Sequence, residues 1–120
     1  MIFGVGTDII KVSRIEKLMS KDGFLERIFT EREIETLKKR KFSPETVSAH
    51  FAGKEAVSKA MGTGISGFNF SDIEILNHEN GRPYVNLLGK AKEISGDRKI
   101  HISLSHESDT AIAFCVIEKE

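Results

Sequence analysis

The stretch that decides how this chain folds is FAGKEAVSKAMGTG, Phe51 to Gly64. Upstream, Ser43 followed by Pro44 reads as an N-cap with proline at the first helical position. Downstream, Gly62 is the expected glycine just past a helix end. The spacing therefore predicts a helix over Pro44–Met61. On a wheel at about 100° per residue, Ala49, Ala52, Gly53, Ala56 and Ala60 form one stripe of small side chains. Val47, Phe51, Val57 and Met61 lie mostly on the other side, so little of the helix is free to face water. A small-residue stripe lets a helix approach a sheet or another helix closely. Ser48, Glu55 and Lys59 share the polar edge, while His50 and Lys54 sit among the larger apolar residues.

Outward from this helix the rest falls into place. IFGVGTDII at the start is β-branched and alternates, with Ile2, Gly4, Gly6, Asp8 and Ile10 on one face and Phe3, Val5, Thr7 and Ile9 on the other. SRIE, from Ser13, has the spacing of a capping box and predicts a helix over Arg14 to about Ser20. Asp22-Gly23 interrupts it before a helical turn at Phe24–Phe29. TERE, from Thr30, is a second capping box for a helix running to the basic stretch Lys38–Lys41. Past Gly64 the period changes to two. DIEIL and PYVNL read as strands around the turn-rich NHENGRP, GKAKEIS as a short helix, and KIHISLSH and TAIAFCVIE as strands joined by a tight turn. Hairpin connections favour an α+β fold, one domain over residues 1–120 with a largely antiparallel sheet packed against helices.

Composition narrows the function classes. Lys+Arg and Asp+Glu both total 18, so there is no basic excess of the kind nucleic acid selects. The single cysteine, Cys115, excludes a disulfide framework and sits in the apolar AFCVI as a core residue. The N-terminus has neither a signal-peptide pattern nor an apolar run of membrane-spanning length, so a cytoplasmic protein is expected.

Four groups of residues are candidates for chemistry. Glu55 and Lys59 have the i,i+4 spacing of an ordinary surface ion pair, yet their helix runs into GTGISG, whose glycines allow a ligand phosphate close to the backbone. Asp8 is a carboxylate inside an apolar strand, with room above it beside Gly4 and Gly6. It reads either as a turn or capping residue at the strand end or as a ligand for a hard cation. With Glu55 it would supply the half-shell of carboxylates that Mg²⁺ accepts alongside waters and substrate phosphates. His106, in SLSHE, closes a strand before a turn, with Ser105 beside it. Arg14, Lys17 and Lys21, at i, i+3 and i+7, share one helix face with Arg27 close behind. That face is either solvated or a docking stripe for an acidic helix.

GVGTDII, FAGKEAVSKAMGTGI and SLSH, in this order and spacing, resemble the holo-acyl-carrier-protein synthases, the small AcpS-type 4′-phosphopantetheinyl transferases. The resemblance covers the whole chain. It implies transfer of the phosphopantetheine arm of coenzyme A to a serine of apo acyl carrier protein, as in fatty acid biosynthesis, with release of adenosine 3′,5′-bisphosphate. It also implies Mg²⁺ on Asp8 and Glu55, and Lys59 near the phosphate being cut. Lys54, His50, the loop at Gly62 and Gly64, and Ser105 with His106 would line the coenzyme A site. Arg14, Lys17, Lys21 and Arg27 would meet the carrier protein, and the assembly would be a homotrimer with sites between subunits. Two departures stand out: His50 occupies a position where the family commonly has Arg, and Glu107 one where Thr is common. Another Mg²⁺-dependent phosphoryl or nucleotidyl enzyme, and a non-catalytic module binding coenzyme A or carrier protein, are the competing classes.

Overall fold

The computed structural model describes residues 1–120. In chain order the elements are β1 (Ile2–Lys11), α1 (Val12–Met19), α2 (Phe24–Ile28), α3 (Glu31–Lys39) and α4 (Pro44–Ala60), then a 3-10 turn at Phe70–Asp72. There follow β2 (Ile73–Asn77), β3 (Pro83–Leu87), α5 (Gly89–Ser95), β4 (Lys99–Glu107) and β5 (Thr110–Glu118). The strands make two antiparallel sheets, one ordered β1-β5-β4 and the other the hairpin β2-β3. The α+β class is as the patterning predicts, with the antiparallel pairs divided between two sheets where one was expected.

Helix α4 is the spine of the molecule. From Val47 to Ala60 every residue is buried except Glu55, which is half-buried, and Lys59, which is exposed. Its small-residue stripe lies on the three-stranded sheet so closely that glycine is required beneath it. A Cβ on Gly6 would run into the carbonyl oxygen of Ala56 and lie 2.7 Å from the Ala60 nitrogen, and one on Gly4 would strike the Ala60 carbonyl. The space above these glycines, expected to be open to a ligand, is therefore filled by the helix backbone. The hydrophobic core gathers around the same helix, with Ile10, Ile15, Leu37, Ile73, Ala113, Cys115 and Ile117 among its members.

The capping box at Thr30 and Glu33 forms as predicted. The one expected at Ser13 does not: α1 starts two residues earlier, with Lys11 at its N-cap and no side-chain cap. Asp109, in the turn between β4 and β5, takes over, accepting from the Ser13 N–H at 2.9 Å and its hydroxyl at 3.0 Å. Ser43 precedes Pro44 as expected, but its hydroxyl donates to Glu45 at 2.7 Å and caps no backbone N–H. Gly62 does end α4, with φ +85, and Gly64 follows at φ +63. Both are left-handed conformations that side chains with a Cβ resist.

Candidate functional site

Asp8 sits in mid-strand opposite Ala113, on the inward face of β1 beyond the two packed glycines. It is neither a turn nor a capping residue. Its partner comes from α4: the Lys59 ammonium lies 3.1 Å from Asp8 Oδ1 and donates also to the Thr7 carbonyl at 3.0 Å. Lys59 thus bridges to the strand instead of pairing along its own helix with Glu55. The Asp8 side chain is 17% exposed and that of Lys59 50%, so the pair stands at a rim open to solvent.

Glu55 completes the group. Its carboxyl is held above the ordinary carboxylate range by partial burial first and by the Asp8 charge second, against the pull of Lys59 and then Arg14. Two carboxylates whose charges oppose one another at a rim are what a divalent cation would neutralise. No third His, Cys, Asp or Glu joins them to form a protein cage. That suits Mg²⁺, which is held by one or two carboxylates and completed by waters and substrate phosphates, and does not suit a structural zinc.

The loop leaving α4 starts at this rim. A Cβ at Gly62, Gly64 or Gly67 would meet nothing within 4 Å, so open space surrounds the glycines. The Gly64 N–H is tied back to the Ser58 carbonyl at 3.1 Å, which holds the loop against the end of the helix.

Other expected site residues lie elsewhere. Lys54 lines no ligand cleft. Its side chain is 0% exposed and pairs with Glu33 at 2.7 Å. Burial pulls the ammonium below its ordinary range, and Glu33 pulls it back up. Ser48, expected on the polar edge with Glu55 and Lys59, is fully buried, and its hydroxyl finds no partner.

His50, Ser105 and His106 line a different cleft of about 190 Å³ on the other flank of α4, which Asp8, Glu55 and Lys59 do not reach. Arg40, Thr46 and Asn77 line it as well. No sequence motif marks these three, and only the basic run ending α3 points to Arg40. His50 itself is buried, and desolvation, with smaller contributions from Lys54 and Arg40, lowers its pKa to about 4. It is a neutral imidazole near pH 7, and the fixed cation of this cleft is Arg40.

Arg14 and Lys17 lie on α1, while Lys21, expected on the same helix face, stands in the turn just past its end at Met19; all three line a shallow groove with Ser13 and Leu18. Arg27 is exposed on α2, with its guanidinium beside Gly23. Arg14 is close enough to act electrostatically on Glu55, so the basic face adjoins the carboxylate rim.

Sequence and backbone are both similar to those of known proteins. Residues 4–115 match the model of the 4′-phosphopantetheinyl transferase superfamily. The chain is 50% identical over 122 residues to a holo-acyl-carrier-protein synthase of Clostridium kluyveri, covering 98% of this chain and 91% of that protein. Its backbone is similar, at TM-score 0.85 and 41% identity, to the Bacillus anthracis holo-acyl-carrier-protein synthase solved in complex with CoA (3′,5′-ADP), covering 100% and 99% of the two chains. The Helicobacter pylori synthase in complex with coenzyme A gives TM-score 0.85 at 32% identity, covering 95% of this chain and 99% of that one.

Proposed function

Because this chain belongs to the 4′-phosphopantetheinyl transferase superfamily, we infer that it transfers the phosphopantetheine arm of coenzyme A to a serine of apo acyl carrier protein at the rim formed by Asp8, Glu55 and Lys59. The observation that carries the site assignment is the exposure pattern of α4. Over fourteen positions of an otherwise buried helix, solvent reaches only Glu55 and Lys59, and both face Asp8. Glu55 makes no ion pair within the chain, and Lys59 makes its one ion pair with Asp8 at the same rim.

The reaction joins a serine oxygen to phosphorus and expels adenosine 3′,5′-bisphosphate, so charge must be neutralised on the phosphates throughout. Asp8 and Glu55 would hold Mg²⁺, which supplies that neutralisation when bound. Lys59 adds a second cation beside them, and its half-exposed ammonium is the side chain of the rim freest to meet an incoming phosphate. The glycines at 62 and 64 give a phosphate chain access to backbone. The groove on α1 presents Arg14, Lys17 and Lys21 to an acidic carrier protein next to the same rim.

The assembly is a homotrimer in this reading. Two features of the single chain support it. The outward face of β1 and β5 carries Val5, Ile9, Ile112 and Phe114, all exposed, an apolar surface that a second chain would cover. The cleft of Arg40, His50, Ser105 and His106 is also separated from the carboxylate rim by the width of α4. A neighbouring chain's cleft joined to this rim would give coenzyme A one continuous site. The buried free thiol of Cys115 goes with a reducing, cytoplasmic location.

The test is the intact mass of apo acyl carrier protein after incubation with coenzyme A, Mg²⁺ and this protein. Gain of one phosphopantetheine group is expected, with loss on the order of a hundredfold for Asp8→Asn and Glu55→Gln, both folded. Unmodified carrier protein would favour a binding module. Full turnover by either variant at saturating Mg²⁺ would refute the site.

A further inference from the structure

Lys54 is the least accessible charged residue of the molecule, and the reaction as described makes no use of it. Its ammonium meets three acceptors: Glu33 Oε1 at 2.7 Å, the Phe70 carbonyl at 3.1 Å and the Ile73 carbonyl at 2.5 Å. It also lies over the Phe29 ring, 5.1 Å from the centroid. Glu33 in turn accepts from the Ile75 N–H at 3.0 Å and the Thr30 N–H at 2.9 Å. A single side chain of α4 is therefore fastened to α3, to the start of β2 and to the turn where the loop after α4 comes to rest.

Two consequences follow from where Lys54 stands in the chain. The first concerns rotation. Where α4 meets β1 most closely it presents Ala56 and Ala60, which permit close approach and give little directional grip, and the Lys59 bridge to Asp8 and Thr7 is half-exposed. Lys54 immediately precedes Glu55, about 100° away around the helix. Holding one at a fixed point inside the protein sets the direction in which the other leaves it. The second concerns the glycine loop. It is tied at its near end through Gly64 to Ser58, and its far end is held by the bond from Lys54 to the Phe70 carbonyl.

We propose that Lys54, paired with Glu33, is the positioning residue of the site: from the interior it fixes the rotation of α4 that turns Glu55 toward Asp8, and it anchors the returning end of the loop that begins at Gly62. This rests on the reading of Asp8 and Glu55 as the metal-holding pair. Buried ion pairs are best attested as devices that set register, which is the role the geometry gives this one.

The test compares wild type with Lys54→Met, which keeps an unbranched side chain without the charge, and with Glu33→Gln, which keeps the shape of the partner. Folding is verified by circular dichroism at low temperature, and Asp8→Asn serves as the metal-site control. Two quantities are read. Binding of Mn²⁺ alone is followed by electron paramagnetic resonance of the free ion. Amide hydrogen exchange across residues 62–69 is measured relative to β5 in the same sample. Both variants should bind Mn²⁺ roughly tenfold more weakly, as loss of groups that orient metal ligands does. Loop exchange should rise while β5 keeps its protection. Lys54→Met should also lower kcat with the KM for carrier protein unchanged. If Lys54→Met does not fold, Glu33→Gln carries both readouts.

Mn²⁺ affinity and loop exchange equal to wild type in a folded variant overturn the proposal. So does loss confined to melting temperature, which marks a purely structural pair. If wild type binds Mn²⁺ no better than Asp8→Asn, the metal reading fails by itself. Loop exchange then decides the anchoring role: faster in the variants upholds it, unchanged overturns it.

Discussion

Replacing Gly6 by Ala adds one methyl group at the closest approach of strand and helix. The new Cβ would lie 2.7 Å from the Ala60 nitrogen and 3.0 Å from the Ala56 carbonyl carbon, with the Ala56 oxygen nearer still. Comfortable contact begins at about 3.5 Å. All three atoms are backbone of a helix with its hydrogen bonds made, so no side chain can swing aside. Helix α4 must retreat from β1 by roughly 1 Å or more, or the strand must bend. Overpacking of a core costs about 1–3 kcal/mol, and a clash between two rigid backbones belongs near the top of that range. For a chain of this size about 3 kcal/mol corresponds to a fall in melting temperature of about 10 °C. The functional effect should exceed the loss of stability. Retreat of α4 lengthens the 3.1 Å contact between Lys59 and Asp8 and moves Glu55 with it. Misplacement by about 1 Å can reduce turnover about a hundredfold. Thermal unfolding by circular dichroism and steady-state transfer kinetics, measured below the variant's melting temperature, give the two numbers. A Gly6→Ala protein with wild-type melting temperature would refute the close packing. A destabilised variant with wild-type turnover in its folded fraction would break the link between packing and site geometry.

Two further predictions follow from the electrostatics. Folded His50 takes a proton only near pH 4, whereas the unfolded residue does so near its ordinary 6.5. The unfolded chain therefore binds more protons between these values, and stability falls as pH drops through the window, by about 3 kcal/mol once it is crossed. Urea unfolding of His50→Gln should show a flatter decline than wild type from pH 7 to 4.5, and parallel declines would refute the neutral, buried imidazole. Reversal of Lys17 and Lys21 to Glu should raise the KM for carrier protein and leave that for coenzyme A unchanged, since both lie on the α1 groove. Arg14 is left intact in that variant because it also acts on Glu55. The wild-type KM for carrier protein should rise with salt, and a salt-independent value would contradict electrostatic docking.

How much of this was legible in the sequence depended on whether the signal was local. Pro44 and Gly62 bracket α4, and Thr30 with Glu33 starts α3, because caps act within a few residues. The faces of β1 were readable from alternation alone, Asp8 included. What stayed hidden was decided by residues distant in sequence. Ser13 lost its capping role to Asp109, at the far end of the chain. Gly4 and Gly6 looked like room for a ligand because nothing in β1 tells that α4 will lie on it. The wheel put Lys54 among apolar residues, yet the resemblance assigned it to the coenzyme A site, and a lysine is seldom buried without a partner. Its partner Glu33 stands on another helix, where the sequence shows it only as half of a capping box. The two flanks of α4 could not be told apart either. The wheel separates His50 from Glu55, but only the packed structure shows that one faces the β4 side and the other β1.

The most direct test of the account is a crystal of the protein grown with coenzyme A and Mn²⁺, with data collected where manganese scatters anomalously. One anomalous peak per chain is expected between the Asp8 and Glu55 carboxylates, with the pyrophosphate of coenzyme A on the metal and Lys59 beside it. The far end of the same ligand should lie in the Arg40 and His106 cleft of a neighbouring chain. A metal held by other residues, or coenzyme A bound wholly within one chain away from Asp8, would contradict this assignment.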